Sequence, residues 1–132
     1  MATTTVDAAV RDALVELLAA MNAGDQDGLR RRLSVDPGAV HIGTDPAEWW
    51  SSEEVVSSLG NVPEVGVDAT VDEVQVHPLG EDAAWVAGTG RFVGDGVDVP
   101  VRMSGVAVRE GDRFVFVHSH ASVGVPNEKL LG

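Results

Sequence analysis

The first third of the chain carries apolar residues at helical spacing. Between residues 5 and 22 they recur every three or four positions: Val6, Val10, Ala13, Leu14, Leu17, Leu18 and Met21. This spacing predicts an amphipathic helix. Thr4 or Thr5 can cap its start, and Gly24 can end it in a left-handed turn.

Two further helices and a short strand are predicted before residue 61. Asp25 has the position of a cap for a second helix that runs to about Leu33. A short strand is predicted over residues 39–43. The spacing of Ser51 and Glu54 is that of a capping box, which predicts a third helix that ends near Gly60.

The pattern changes in the second half, where valine becomes abundant. Seven valines lie in residues 1–61 and seventeen in residues 62–132, and β-branched residues favour strands. Turn-forming residues divide this half into four predicted strands, at about 67–77, 83–93, 97–109 and 113–123. Because the connections are short, neighbouring strands should be antiparallel.

Helices followed by strands indicate an α+β fold. We expect a curved antiparallel sheet, made of the four long strands and the short one, that wraps around the three N-terminal helices as a cone with an open end. The 132 residues predict a single domain over residues 1–132, with residues 124–132 as a loose tail.

Composition excludes several classes of chemistry. The nine basic and 21 acidic residues give a net charge of −12, which opposes binding to nucleic acid or to an anionic membrane. Without cysteine there can be no disulfide, thiolate nucleophile or zinc–cysteine site, and without tyrosine no phenol can act as an acid.

Signals for targeting and for cofactors are also missing from the pattern. The start, Met1 to Thr5, has neither a basic nor an apolar segment of the secretory kind, so we expect a cytoplasmic protein. No phosphate-binding loop is present, and the glycines of residues 88–94 do not have dinucleotide-binding spacing. We therefore expect no cofactor.

The last predicted strand is the most informative segment. Simple alternation gives one face with Phe114, Phe116, His118, His120 and Ser122. The opposite face carries Val115, Val117, Ser119, Ala121 and Val123. Both faces begin apolar, so both should be covered. Because the helices can cover only one, we expect a homodimer through the other.

The two histidines on the first face have three possible roles. With Ser122 they can form the polar wall of a pocket whose base is apolar, or they can make structural hydrogen bonds at a dimer seam. As metal ligands, His118 and His120 would need a third residue such as His41 or Asp45. We predict no metal site, and we count His41, His120 and Ser122 as pocket residues and His118 as a candidate base.

The segment from Thr44 to Trp50 offers a carboxylate beside two indoles. Asp45 is a candidate catalytic base, because apolar neighbours raise the pKa of a carboxyl group. The alternative is that Asp45 caps a short helical turn, with Pro46 at its first position and Glu48 completing a capping box. On such a turn Trp49 and Trp50 point about 100° apart, so at most one lines the pocket fully.

Two basic residues and one further indole are candidates on the long strands. Arg102 lies on a largely apolar strand face, where it needs an acidic partner or an anionic ligand unless that face is exposed. Trp85 shares a face of the preceding strand with Arg91. For these two residues as well, the alternatives are a place in the pocket or an exposed strand face. Arg102 and Trp85 complete the predicted pocket set.

Two segments carry a resemblance to a known family. Residues 41–50 (HIGTDPAEWW) and 114–122 (FVFVHSHAS) resemble those of SnoaL-like members of the nuclear transport factor 2-like superfamily. The second segment is also similar to the last strand of the association domain of calcium/calmodulin-dependent kinases, although a tryptophan is usual at the Phe114 position. The resemblance implies an α+β cone with a deep pocket, dimeric through its sheet.

That superfamily includes ketosteroid isomerases, polyketide cyclases, dehydratases, epoxide hydrolases and members without catalysis. Asp45 lies about where the isomerases have their base, but their tyrosine has no counterpart in a chain without tyrosine. Three hypotheses follow. The first is a pocket protein that binds an unknown small molecule. The second is a cofactor-free acid–base enzyme, with Asp45 or His118 as base and His120, Ser122 or Arg102 stabilising negative charge. The third is a structural association module.

Overall fold

Helix signals in the sequence correspond closely to the helices observed. The computed structural model describes residues 5–59 and 66–132, and its first three helices are α1 (Val6–Ala23), α2 (Gln26–Arg32) and α3 (Ser52–Leu59). Thr5 Oγ1 accepts a hydrogen bond from the N–H of Ala8, and Gly24 ends α1 with a φ of 66°. The alternative cap Thr4 and the predicted helix end at Gly60 lie outside the described residues.

The caps of the two shorter helices are also as predicted. The Asp25 carboxylate accepts from the N–H of Gly28 at the start of α2. Ser51 and Glu54 form the reciprocal capping box of α3, since each side chain accepts a hydrogen bond from the other residue's N–H at 3.2 Å.

The described strands form one curved sheet. They are β1 (Val40–Ile42), β2 (Trp49–Trp50), β3 (Asp68–Pro78), β4 (Ala83–Gly94), β5 (Val97–Glu110) and β6 (Arg113–Ser122). Their order across the sheet is β2-β1-β6-β5-β4-β3. The predicted α+β class and the four long strands are confirmed.

Three details differ from the prediction. The sheet is mixed, because β1 runs parallel to β6 while the other pairs are antiparallel. Trp49 and Trp50 form the sixth strand, whereas a helical turn was expected. The C-terminal tail, predicted to be loose, includes a short exposed helix, α4 (Asn127–Leu131).

The helices cover one face of the sheet, called here the inner face. At one end of the cone, α1 residues such as Val10 and Leu14 pack against Val86, Phe114 and Phe116 of the sheet. A second apolar cluster joins α1, α2 and α3. No helix that the structure describes is long and apolar enough to cross a membrane.

A β-bulge in β6 reverses the predicted faces of its second half, from His118 onward. Val106 of β5 pairs with His118, but the next residue, Ala107, pairs with Phe116, so Val117 is an extra residue in the strand. Phe114 and Phe116 therefore point inward, whereas the alternation is shifted by one from His118 onward, so that His118 faces outward. The prediction that the phenylalanines and histidines share a face was wrong.

Candidate functional site: a cavity at the open end of the cone

The inner face leaves an open cavity between the helices and the wider end of the sheet. Its volume is about 330 Å³. Leucines and a methionine of α1 form one wall. Small residues form part of the sheet wall, namely Gly43, Ala69, Gly105 and Ala121. Because these positions have little or no side chain, the sheet cannot fill the space that it encloses.

One row of paired residues forms the polar part of this cavity. Trp50 pairs with His41, His41 pairs with Ser119, and Ser119 pairs with Gly105. All four line the cavity. Since paired residues on neighbouring strands point to the same face, an indole, an imidazole and a hydroxyl lie side by side next to the glycine.

His41 is buried and makes a hydrogen bond through each ring nitrogen. Only 4% of the residue is exposed. Nδ1 lies 2.8 Å from Ser119 Oγ, and Nε2 lies 3.2 Å from Ser52 Oγ at the start of α3. Burial, together with the nearby charge of His118, lowers the pKa of His41 to about 4. The imidazole is therefore neutral at physiological pH.

A neutral imidazole has one donor and one acceptor nitrogen. One of the two serine hydroxyls therefore donates to His41, and the other accepts from it. When Ser119 is the acceptor, its own proton is available to a molecule in the cavity. When Ser119 is the donor, its lone pairs are available instead. The Ser52–His41–Ser119 chain can thus serve a ligand donor or a ligand acceptor.

Glu48 provides the carboxylate at the edge of the cavity. Glu48 and Trp50 both line the cavity, whereas Trp49 between them is 67% exposed and does not. The Glu48 carboxylate lies across the backbone of Gly43, where a methyl group would overlap its Oε2 atom. Glycine at position 43 therefore makes room for this carboxylate.

Asp45, the first candidate base, lies in the exposed turn between β1 and β2. Its carboxylate accepts from the N–H of Ala47 at 2.8 Å, and its carbonyl oxygen accepts from the N–H of Glu48. It borders a second, shallower depression outside the cavity, together with Trp49 and Ser122. The structure therefore places Asp45 in a capping role, here in a hairpin turn and not in the helical turn considered from the sequence.

His118, the second candidate base, lies on the outer face because of the bulge. Its Nδ1–H donates to the carbonyl oxygen of Val40 at 2.9 Å, which ties β1 to β6. His120 pairs with Ile42 and, like His118, belongs to the outward-facing positions of β6. It is exposed but borders both the cavity and the second depression.

The remaining predicted pocket residues lie away from the cavity. Arg102 donates from Nε and Nη2 to Ser122 Oγ, at 3.3 and 3.2 Å, on the exposed outer face. Trp85 stacks on His77, with ring centroids 3.9 Å apart. Arg91 forms an ion pair with Asp98, which raises the pKa of the Arg91 guanidinium.

Sequence reasoning did not select Glu48, Ser119 or Ser52 as site residues; Glu48 was considered only as part of a capping box. Simple alternation assigns Ser119 to the opposite face, because the four consecutive apolar residues before His118 (residues 114–117) fit either strand register equally well. Ser52 had only the appearance of the first residue of a helix. Among residues 5–59 and 66–132, no group of three or more histidine or acidic side chains is arranged to hold a metal ion.

Comparison with known families agrees with this fold and cavity. A cone of this kind, with helices on the inner face of a curved mixed sheet, is the nuclear transport factor 2-like fold. The sequence model of the SnoaL-like domain matches residues 10–126 of the chain. The protein therefore belongs to the SnoaL-like domain family. No curated protein sequence matches the chain significantly.

Solved bacterial structures share the fold at low sequence identity. A nuclear transport factor 2-like protein of unknown function from Pseudomonas putida has a TM-score of 0.76 and 16% identity, with 91% of this chain and 87% of that one covered. A protein from Shewanella frigidimarina, assigned provisionally as a ketosteroid isomerase, has a TM-score of 0.72 and 20% identity, with 89% and 97% covered. A cystatin-like fold protein from Burkholderia xenovorans has a TM-score of 0.69 and 23% identity, with 90% and 92% covered.

Proposed function

We propose that this protein binds a small, largely apolar molecule in its inner cavity. The observation that carries the proposal is the open cavity of about 330 Å³ itself, with apolar walls and a few polar groups. Cavities of this size and lining are typical of ligand sites. A purely structural module has no need of such a space, since an unfilled cavity costs stability.

The polar groups are arranged to orient a ligand. Ser119 and Glu48 lie in different parts of the lining, on β6 and just before β2. A molecule that fills the apolar volume can therefore make one hydrogen bond to the Ser52–His41–Ser119 chain and another to the carboxylate. Few, well-placed polar contacts of this kind give a mainly apolar site its specificity.

An acid–base enzyme using the same cavity is the second candidate. The observation that favours it is the Glu48 carboxylate, which lines the cavity where Asp45 and His118 do not. In this alternative, Glu48 takes the role of base, and Ser119 donates to the negative charge that develops on the substrate. Deuterium exchange at the carbons beside the carbonyl of bound 4-phenylbutan-2-one, lost in Glu48→Gln, would favour this alternative.

The three tryptophans allow a direct test of ligand binding. Trp50 lines the cavity, while Trp49 borders the outer depression and Trp85 lies on the outer face. With 5-fluorotryptophan labelling, 4-phenylbutan-1-ol is expected to shift the ¹⁹F signal of Trp50 and to leave that of Trp85 unchanged. Each signal can be assigned with a Trp→Phe variant.

A cavity-filling variant tests whether the ligand binds in this cavity. Ala121→Phe places a ring in the cavity and is expected to weaken binding by about tenfold or more, since the ring occupies the ligand's volume. Ala83→Phe makes the same change at a half-buried position outside the lining and serves as the matched control. Equal affinities of the two variants would contradict binding in this cavity.

We also propose that two copies pair through the outer face of the sheet. Of the helices that the structure describes, those packed on the sheet (α1 to α3) cover its inner face. The outer face presents the row His77, Trp85, Val106 and His118. Trp85 at its centre is 41% exposed. Aromatic residues on a broad, uncovered sheet face are typical of subunit interfaces.

Trp85→Glu is expected to convert the dimer into a monomer, because the interface would have to bury an unpaired carboxylate. Light scattering after size-exclusion chromatography measures the mass, which should fall by half. Val35→Glu introduces the same charge at an exposed loop position and is the control. A wild-type chain that is monomeric at high micromolar concentration would refute the pairing.

A further inference from the structure

We infer that the ligand of this cavity carries a protonated amine, which Glu48 and Trp50 bind together. This inference rests on the proposed function and adds the chemical class of the ligand. It concerns the charge that the cavity accepts, which neither the fold nor the family determines.

The charges around the cavity have one sign. Glu48 is the only carboxylate among the described lining residues, and these include no lysine or arginine. An anionic ligand would therefore lack a cationic partner and would be repelled by Glu48. A cationic ligand would have a counter-charge at the edge of an apolar space, where a charge-assisted hydrogen bond is strong.

The Glu48 carboxylate is available for such a partner. No hydrogen bond or ion pair among residues 5–59 and 66–132 involves its oxygens, whereas the nearby side chains of Asp45, Ser52 and Glu54 each make a hydrogen bond. Its place over Gly43 leaves it between the cavity and the outer depression. An amine at the boundary between the two can contact this group.

Trp50 adds a second attraction for a cation. Strand alternation brings its indole to the same face as Glu48, and both residues line the cavity. An ammonium group is attracted to the face of an indole, and more strongly where water is excluded. The carboxylate of Glu48 and the indole of Trp50, two residues apart on the same face, therefore form a two-part site for an amine.

The other titratable groups nearby are few. His41 is neutral because of its low pKa, and it is already bonded to two hydroxyls. His120 is at an outward-facing position of β6 and only borders the cavity. Asp45 borders only the outer depression, where its negative charge also favours a cation. Glu48 is thus the group whose charge decides the preference.

A matched series of probes tests the inference. 4-Phenylbutylamine, 4-phenylbutan-1-ol and 4-phenylbutanoate share one apolar body and differ in the charge of the end group. At pH 7.5 the amine is expected to bind at least about tenfold more tightly than the alcohol, and the carboxylate most weakly. Titration of the ¹⁹F signal of Trp50 gives the three dissociation constants.

Two variants at the site and one control complete the experiment. Glu48→Gln should remove the preference for the amine while the alcohol still binds. Gly43→Ala keeps the charge but displaces the carboxylate, and should reduce the preference as well. Glu73→Gln removes one exposed carboxylate away from the cavity and should bind all three probes like the wild type.

The outcomes separate this inference from the function on which it rests. If the alcohol binds and the amine binds no better, or if Glu48→Gln keeps the preference, the inference is overturned while the ligand-binding function stands. Tightest binding of the carboxylate would overturn it as well. If none of the three probes binds, the proposed function itself fails.

Discussion

Gly90→Val is expected to lower the free energy of unfolding by roughly 3–5 kcal/mol, which is a large part of the stability of a small domain. Gly90 lies within β4, paired with Val71 of β3 and Val101 of β5. A side chain there would overlap the carbonyl oxygen of Thr70 and would also crowd the Met103 methyl group. Because the first of these is backbone within a sheet, it cannot move aside cheaply.

The close approach has a structural origin in the curvature of the sheet. The register of β3 shifts between Val71 and Glu73, which indicates a bulge at Asp72, and the backbone of β3 there bends over Gly88 and Gly90. Urea unfolding followed by circular dichroism measures the effect. Ala87→Val, on the outer face of the same strand, is the control and should be nearly neutral. Equal stability of the Gly90→Val variant and the wild type would rule out this account of the curvature.

The second large effect is a loss of stability in acid that depends on His41. Its pKa is about 4 in the folded protein and near the ordinary value of 6.5 in the unfolded chain. Between these values the unfolded state binds more protons, so the contribution of His41 is complete above pH 6.5 and is lost as the pH falls toward 4. The loss amounts to roughly 3 kcal/mol.

His41→Asn isolates this contribution, because asparagine keeps a polar atom near the position of Nδ1 and does not titrate. We expect the variant to be less stable than the wild type at pH 7.5, since the bond to Ser52 is lost. The difference should shrink steadily when unfolding is measured at decreasing pH. His120→Asn changes an exposed histidine and should follow the wild-type profile. A difference that is constant with pH would show that His41 titrates normally.

The fold was predictable because its signals are local. The Thr5 and Asp25 caps, the Ser51–Glu54 box and the turn residues between the long strands each specify their element through nearby backbone groups. β2 was missed because Asp45, Pro46 and Glu48 satisfy the cap pattern of a helix as well as that of a hairpin turn. Only the antiparallel pairing of residues 49–50 with residues 41–42 distinguishes the two, and the turn residues themselves do not specify it.

The candidate site was less predictable for the same reason. His41 and Trp50 were found because an imidazole and an indole near a short strand stand out in the sequence. Ser119 was not, since its orientation depends on a bulge that no local signal marks. Arg102 and Trp85 were placed in the pocket because alternation gives two faces but does not say which one the helices cover.

The bulge at Val117 also bears on how such cavities diversify. Deletion of this residue would restore regular alternation and leave Ser119 facing inward. If all ten residues of β6 instead paired without the bulge, the groups that face the ligand would be exchanged: the imidazoles of His118 and His120 would turn inward and the hydroxyl of Ser119 outward. A change from bulged to regular pairing can thus replace the reactive surface of the cavity while every side chain keeps its identity. Comparisons of relatives by substitution alone would overlook such a change.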